Sequence, residues 1–138
     1  MSEHIPAALR RTVCQRAADC CEYCHFPQNS QEAAFHIDHI LPLADGGTTT
    51  VDNLALACVT CSLAKAARTV AEDPDTERLA RLFHPRRDPW NRHFEWAENW
   101  HLIGLTATGR ATIRALRMNR PKVIRIRRLL DRLGEGLK

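Results

Sequence analysis

The chain is poor in aromatic residues, at 6% of 138 positions, and has a single tyrosine. All three tryptophans and three of the four phenylalanines lie at or beyond Phe35, so the core is expected to be mostly aliphatic. No apolar run approaches the length of a membrane span, and the opening Met-Ser-Glu-His-Ile-Pro lacks the charged-then-apolar layout of a secretory signal. A cytoplasmic protein with no membrane association is expected. Glycine and proline are few, at six and seven, and 44% of the chain is apolar, which excludes disordered and fibrous classes. No internal repeat or low-complexity tract is present. The length suits one domain over residues 1–138 with one modest core. Acid is scarce in one region: residues 110–138 hold ten Lys/Arg against Asp131 and Glu135, a net +8, while residues 1–109 sum to −4. A basic tail of this kind suits a polyanion such as nucleic acid, although a solvated surface helix has the same composition.

Cysteine is what the chain does have. In a reducing compartment, six cysteines point to metal binding or free thiols rather than disulfides. Cys21 and Cys24 are separated by two residues, Cys58 and Cys61 repeat that gap, and 33 residues lie between the pairs. Four thiolates so arranged fill the tetrahedral shell of a structural zinc ion. The alternatives are two unrelated pairs of buried cysteines, or Cys20 in place of Cys21 at a wider gap. Cys14 is out of register with both pairs and reads as a small buried hydrophobe.

The elements follow from punctuation and periodicity. Pro6 to Asp19 reads as a helix, with Leu9 and Val13 on one face. Its Arg10, Arg11 and Arg16 read as solvated rather than as phosphate contacts. Residues Ala33 to Leu43 alternate as a strand, with Phe35, Ile37 and His39 on one face and His36 and Asp38 on the other. A Gly46-Gly47 loop and an Asp52-Asn53 turn lead to a second strand, Leu54 to Cys58, and then to a helix from Val59 to Arg68. Beyond it, an acidic linker over Val70 to Asp75 and a short helix over Glu77 to Phe83 are expected. Strands His93 to Trp96 and Trp100 to Leu105 should turn at Ala97-Glu98-Asn99. Helices over Thr106 to Met118, capped by Thr106 or Thr108, and over Lys122 to Leu133 complete the chain.

Hydrolysis of a phosphodiester needs an activated water, neutralisation of developing charge and help for the leaving oxygen, which a general base and one divalent ion can supply. His39 is the candidate base because imidazole titrates near neutrality. Asp38 is a hard oxygen ligand for magnesium or manganese. Asn53 can hold the loop beside His39 through backbone hydrogen bonds. Each residue alone is also what an ordinary turn contains; their order is the informative part.

That order resembles the HNH (His-Asn-His) endonuclease family, and within it a zinc-stapled bacterial subgroup. The matching residues are Cys21/Cys24, Asp38-His39-Ile40-Leu41-Pro42, Gly46-Gly47, Asn53-Leu54, Cys58/Cys61 and Lys65. The resemblance implies an α+β fold with a ββα-metal (His-Me finger) core over 21–68, with flanking helices. A C-terminal extension, 76–138, would add a small β-hairpin and helices, with the basic tail at its end. It further implies a DNA-cleaving enzyme in which His39 activates water, Asp38 binds the catalytic ion, Asn53 positions, and four cysteines hold zinc. Lys65, Arg68, Arg110, Arg114 and Arg117 are the candidate contacts to DNA, with RNA as the other polyanion the composition allows. The family has Asn or His directly after the second Cys pair, often as an ion ligand; this chain has Ser62, and His36 is the residue that could compensate. The alternative function is therefore a zinc-stapled nucleic-acid-binding module with impaired cleavage.

Overall fold

A computed structural model describes residues 4–134, so Glu135 and Lys138 of the basic tail lie outside the described residues. The chain divides into two compact units, residues 1–67 and 68–138. Both mix short antiparallel strand pairs with helices, as the α+β reading requires.

The first unit begins with helix α1 (Ala7–Arg16), which stops where Ala18 and Asp19 take left-handed φ values of 52° and 55°. That reversal sends the chain into the Cys21–Cys24 knuckle. Strands β1 (His36–His39) and β2 (Leu54–Ala57) pair antiparallel with Asp38 opposite Ala55, and helix α2 (Val59–Lys65) follows directly. This is the expected ββα unit. Strand β1 is shorter than the expected Ala33 to Leu43, and beyond it Leu43–Asp45 form a single-turn 3-10 segment; β2 starts at the expected Leu54 and ends one residue early because Cys58 is the N-cap of α2. All four residues of β2 are buried, which explains why Leu-Ala-Leu-Ala shows no polar alternation. Val13 of α1 is fully buried, and the Arg16 guanidinium donates to the Val51 and Leu54 carbonyls at 2.9 and 2.6 Å, tying α1 to the start of β2. Cys14 is only half-buried, so it is not the core hydrophobe expected.

The loop between β1 and β2 depends on Gly47, where a Cβ would meet the Leu41 carbonyl oxygen at 1.8 Å. Asn53 closes the loop: its Oδ1 accepts from Leu41 N–H at 2.8 Å, and its Nδ2 donates to the Leu41 and Thr48 carbonyls at 3.0 and 2.9 Å.

In the second unit two expectations are corrected. The supposed linker contains strand β3 (Val70–Glu72) and the supposed helix is strand β4 (Leu79–Arg81), paired antiparallel with it. Asp73 causes the turn: its carboxylate accepts from Asp75 N–H and Thr76 Oγ1 at 3.1 and 2.8 Å, and Glu77 follows with φ 62°. A one-turn helix α3 (Trp90–His93) leads into the expected hairpin, β5 (Phe94–Trp96) with β6 (Leu102–Gly104). Helix α4 (Ala107–Ala115) is capped by Thr106, whose hydroxyl accepts from Gly109 N–H at 3.0 Å. Pro121 starts helix α5 (Pro121–Arg132) at its first turn. Arg127 of α5 is fully buried, 5.0 Å from the Trp96 ring centroid, and donates to the carbonyls of Trp100 and Met118 at 3.1 and 2.7 Å. Trp90, Trp96 and Trp100 thus stack with Phe94 and Arg127 within this unit. Among the described residues no helix is long and apolar enough to cross a membrane.

Candidate metal centre and active-site cleft

The two Cys pairs converge. The sulfurs of Cys21, Cys24, Cys58 and Cys61 all lie within 4.8 Å of one another, and all four residues are buried. Zinc–sulfur bonds of about 2.3 Å in a tetrahedron separate sulfurs by about 3.8 Å, and Cys24 and Cys58 are 3.8 Å apart. The cage therefore fits a zinc ion, with Cys21 rather than Cys20 as the first ligand. Each pair is shaped locally: the Cys21 Sγ accepts from Cys24 N–H and the Cys58 Sγ from Cys61 N–H, both at 3.5 Å. Burial pushes the Cys21 thiol well above its usual range, whereas hydrogen bonds from the neighbouring sulfurs, Cys21 first, pull Cys58 far down. A bound divalent cation would favour the thiolate at every position.

The knuckle is bolted to the hairpin. Glu22 N–H donates to the Leu56 carbonyl, and Leu56 N–H donates back to the Glu22 carboxylate, both at 2.8 Å. Tyr23, fully buried, donates from its hydroxyl to Asp38 Oδ2 at 2.7 Å. On the other side Lys65, 1% exposed, brings its ammonium to 3.2 Å from Asp38 Oδ2 and donates to the His39 and Ile40 carbonyls at 3.3 and 3.1 Å. Burial raises the Asp38 pKa, with Lys65 and Tyr23 opposing that rise. Burial and the facing Asp38 carboxylate push the Tyr23 phenol well above its ordinary value. Lys65 was expected at the nucleic-acid surface, but its ammonium lies in the interior, neutralising Asp38 and gripping the backbone of His39.

Side-chain alternation along β1 distributes the remaining groups. His36 and Asp38 face α2, where Ser62 and Lys65 are one helical turn apart; His36 Nδ1 lies 2.9 Å from Ser62 Oγ. His39 points toward the loop, with Nε2 2.9 Å from Thr49 Oγ1. His36, His39 and Ser62 all line one open cleft of about 950 Å³. Asp38 is not among the lining residues, and the Asn53 amide bonds to the loop backbone at Leu41 and Thr48. Of the remaining expected contacts, Arg110 is held bidentate by Asp73 at 2.9 Å for both bonds and lies 3.1 Å from Asp75. Arg68 is exposed and donates to the Ala115 carbonyl at 3.3 Å, and Arg114 and Arg117 are exposed. Tyr23 and Thr49 were missed by sequence reasoning. Tyr23 carries a faint signal as the one tyrosine, placed inside a Cys pair; nothing in the run Thr48-Thr49-Thr50 marks its middle residue.

A ββα unit with four clustered cysteines, and a histidine at the end of its first strand lining a cleft, is the arrangement of the expected ββα-metal core. Residues 21–68 match the family model described as HNH endonuclease, over the same span as the motifs. The chain is also similar to the Septu protein PtuA of Bacillus mycoides (strain KBAB4), at 28% identity over 109 residues. That alignment covers 72% of this chain and 15% of the relative, so the chain spans only a small part of that protein's length. No solved structure matches.

Proposed function

We propose that the cleft beside His36, His39 and Ser62 is the active site of a divalent-ion-dependent endonuclease that hydrolyses DNA, in a cytoplasmic setting where the zinc thiolates stay reduced. The observation that carries this is the His39 ring, which lines the cleft while its Nε2 engages Thr49 at 2.9 Å. The Thr49 contact orients the imidazole, and a ring nitrogen of His39 takes the proton of the attacking water. Asn53 supports this by fixing the Thr48 carbonyl, and with it the loop that presents Thr49. Lys65 supports it from behind by holding the His39 carbonyl. A divalent ion bound here would supply neutralisation of charge developing on the phosphate and help for the leaving oxygen. Asp38, His36 and Ser62 are the residues that would hold it. Their mixed imidazole and oxygen donors suit manganese better than magnesium. The exposed arginines of the basic tail, Arg114 and Arg117 among them, add non-specific attraction to the backbone of the substrate.

A second reading, a zinc-stapled DNA-binding module that has lost cleavage, is favoured by two observations. Ser62 Oγ is bonded to His36, and the Asp38 carboxylate is engaged by Lys65 and Tyr23. Incubating zinc-loaded protein with supercoiled plasmid and magnesium, manganese or nickel ions separates the readings. The expected result is nicking that His39→Ala slows by at least about 100-fold. DNA binding without cleavage in any ion would favour the module, and an unslowed His39→Ala would remove His39 as the base.

A further inference from the structure

Residues 1–67 hold only four Lys/Arg, namely Arg10, Arg11, Arg16 and Lys65, against seven acids. Two of the four cations are consumed by the fold: Arg16 ties α1 to the start of β2, and Lys65 neutralises Asp38. Arg10 is different. It lies one helical turn before the fully buried Val13, which fixes the rotation of α1, and its side chain lines the cleft together with His36, His39 and Ser62. Among the described residues its side chain makes no hydrogen bond and no ion pair. Arg11, the next residue, does not line the cleft. His4 does, and among the described residues no carboxylate does, although acids outnumber cations in this half of the chain. A cleft whose described lining carries Arg10, His4, His36 and His39 attracts an anion despite the unit's net negative charge.

We propose that Arg10 binds a phosphate of the nucleic-acid strand lying in the cleft, adjacent to the phosphodiester presented to His39. The guanidinium fork matches two phosphate oxygens, and its exposure leaves it hydrated until the strand arrives. This rests on the nuclease reading for the identity of the strand. It assigns a substrate contact to α1, outside the 21–68 segment that matches the HNH endonuclease family.

The test is binding of a short fluorescein-labelled DNA duplex to full-length, zinc-loaded protein with no further divalent ion, followed by fluorescence anisotropy across a salt series. Arg10→Ala should weaken binding about tenfold, the worth of one charge-assisted hydrogen bond, and should reduce the slope of log K against log salt by about 0.9. Arg10→Lys should keep the slope and lose part of the affinity, and Arg11→Ala should change neither. Far-UV circular dichroism and zinc content should stay at the parent values in all three variants, because among the described residues neither arginine's side chain makes a hydrogen bond or an ion pair. Parent affinity and slope in Arg10→Ala would overturn the proposal, as would an equal loss in Arg11→Ala. Plasmid nicking by the parent is scored separately, so absence of cleavage with a clear Arg10 effect on binding fails only the nuclease reading. Cleavage with no Arg10 effect fails only this one.

Discussion

Replacing Lys65 with methionine keeps the length of the side chain and its helical preference while removing the one cation facing Asp38. The ammonium is 1% exposed and makes three contacts: the Asp38 carboxylate at 3.2 Å and the carbonyls of His39 and Ile40 at 3.3 and 3.1 Å. Breaking a buried ion pair by removing one partner costs about 3–5 kcal/mol, because the other charge is left uncompensated. Asp38 can limit the damage by binding a proton, and Tyr23 still donates to it, so the lower end, about 3 kcal/mol, is expected at pH 8. The pH dependence has a definite sign. Burial already raises the folded-state pKa of Asp38, and losing Lys65 removes the largest opposing influence. A carboxyl raised on folding binds more protons in the native state, so its contribution is present below the unfolded value and is lost as pH rises through the folded one. Lys65→Met should therefore be hurt less at pH 5 than at pH 8, relative to the parent at each pH. Adding Asp38→Asn should recover part of the loss by deleting the stranded charge. Urea unfolding at saturating zinc is followed by far-UV circular dichroism, since all three tryptophans lie beyond residue 67. A cost below about 1 kcal/mol, or a deficit that grows toward acid, would refute the buried-pair account.

Two further outcomes test the frame around the site. Stripping zinc with a strong chelator, or Cys58→Ser, should melt the Cys21–Cys61 frame, because metal binding is coupled to folding in a unit with so little apolar burial. Unchanged circular dichroism after verified loss of one metal ion per chain would count against a structural ion. Asn53→Ala removes three hydrogen bonds that hold Leu41 and Thr48. About 1–3 kcal/mol of stability should be lost, and plasmid nicking should fall because Thr49 no longer fixes the His39 ring. Parent-like nicking by a variant destabilised to this extent would break the proposed link from Asn53 through Thr49 to His39.

Much of the frame is legible in the sequence, because its signals are short-range. A two-residue gap between cysteines already brings two sulfurs onto one ion, and the structure brings the two pairs together. Gly47 reads as a loop glycine, and the tertiary structure adds the reason: a Cβ there would meet the Leu41 carbonyl. The β3–β4 hairpin was not legible. Val70 to Asp75 looks like an acidic linker, and Leu79-Ala-Arg-Leu fits a helix as easily as a strand. The choice is made by the Asp73 turn and by pairing with β3, neither of which has a period in the sequence.

The site divides along the same line. The sequence by itself determined the two cysteine pairs of the metal cage, the ββα order, the loop glycine and the histidine at the end of the first strand, since each is set by neighbours a few residues away. Only the tertiary structure decided what the charged groups do. Lys65 has the composition of a surface cation and is interior, because α2 lays that face over Asp38. Tyr23 and Thr49 gain their roles from partners 15 and 10 residues distant. Arg10 reaches the cleft because Val13 and Arg16 anchor α1 to distant parts of the chain. A lysine or an arginine carries no local mark of burial or exposure; its long stem lets either hold, and the packing of the faces around it makes the choice.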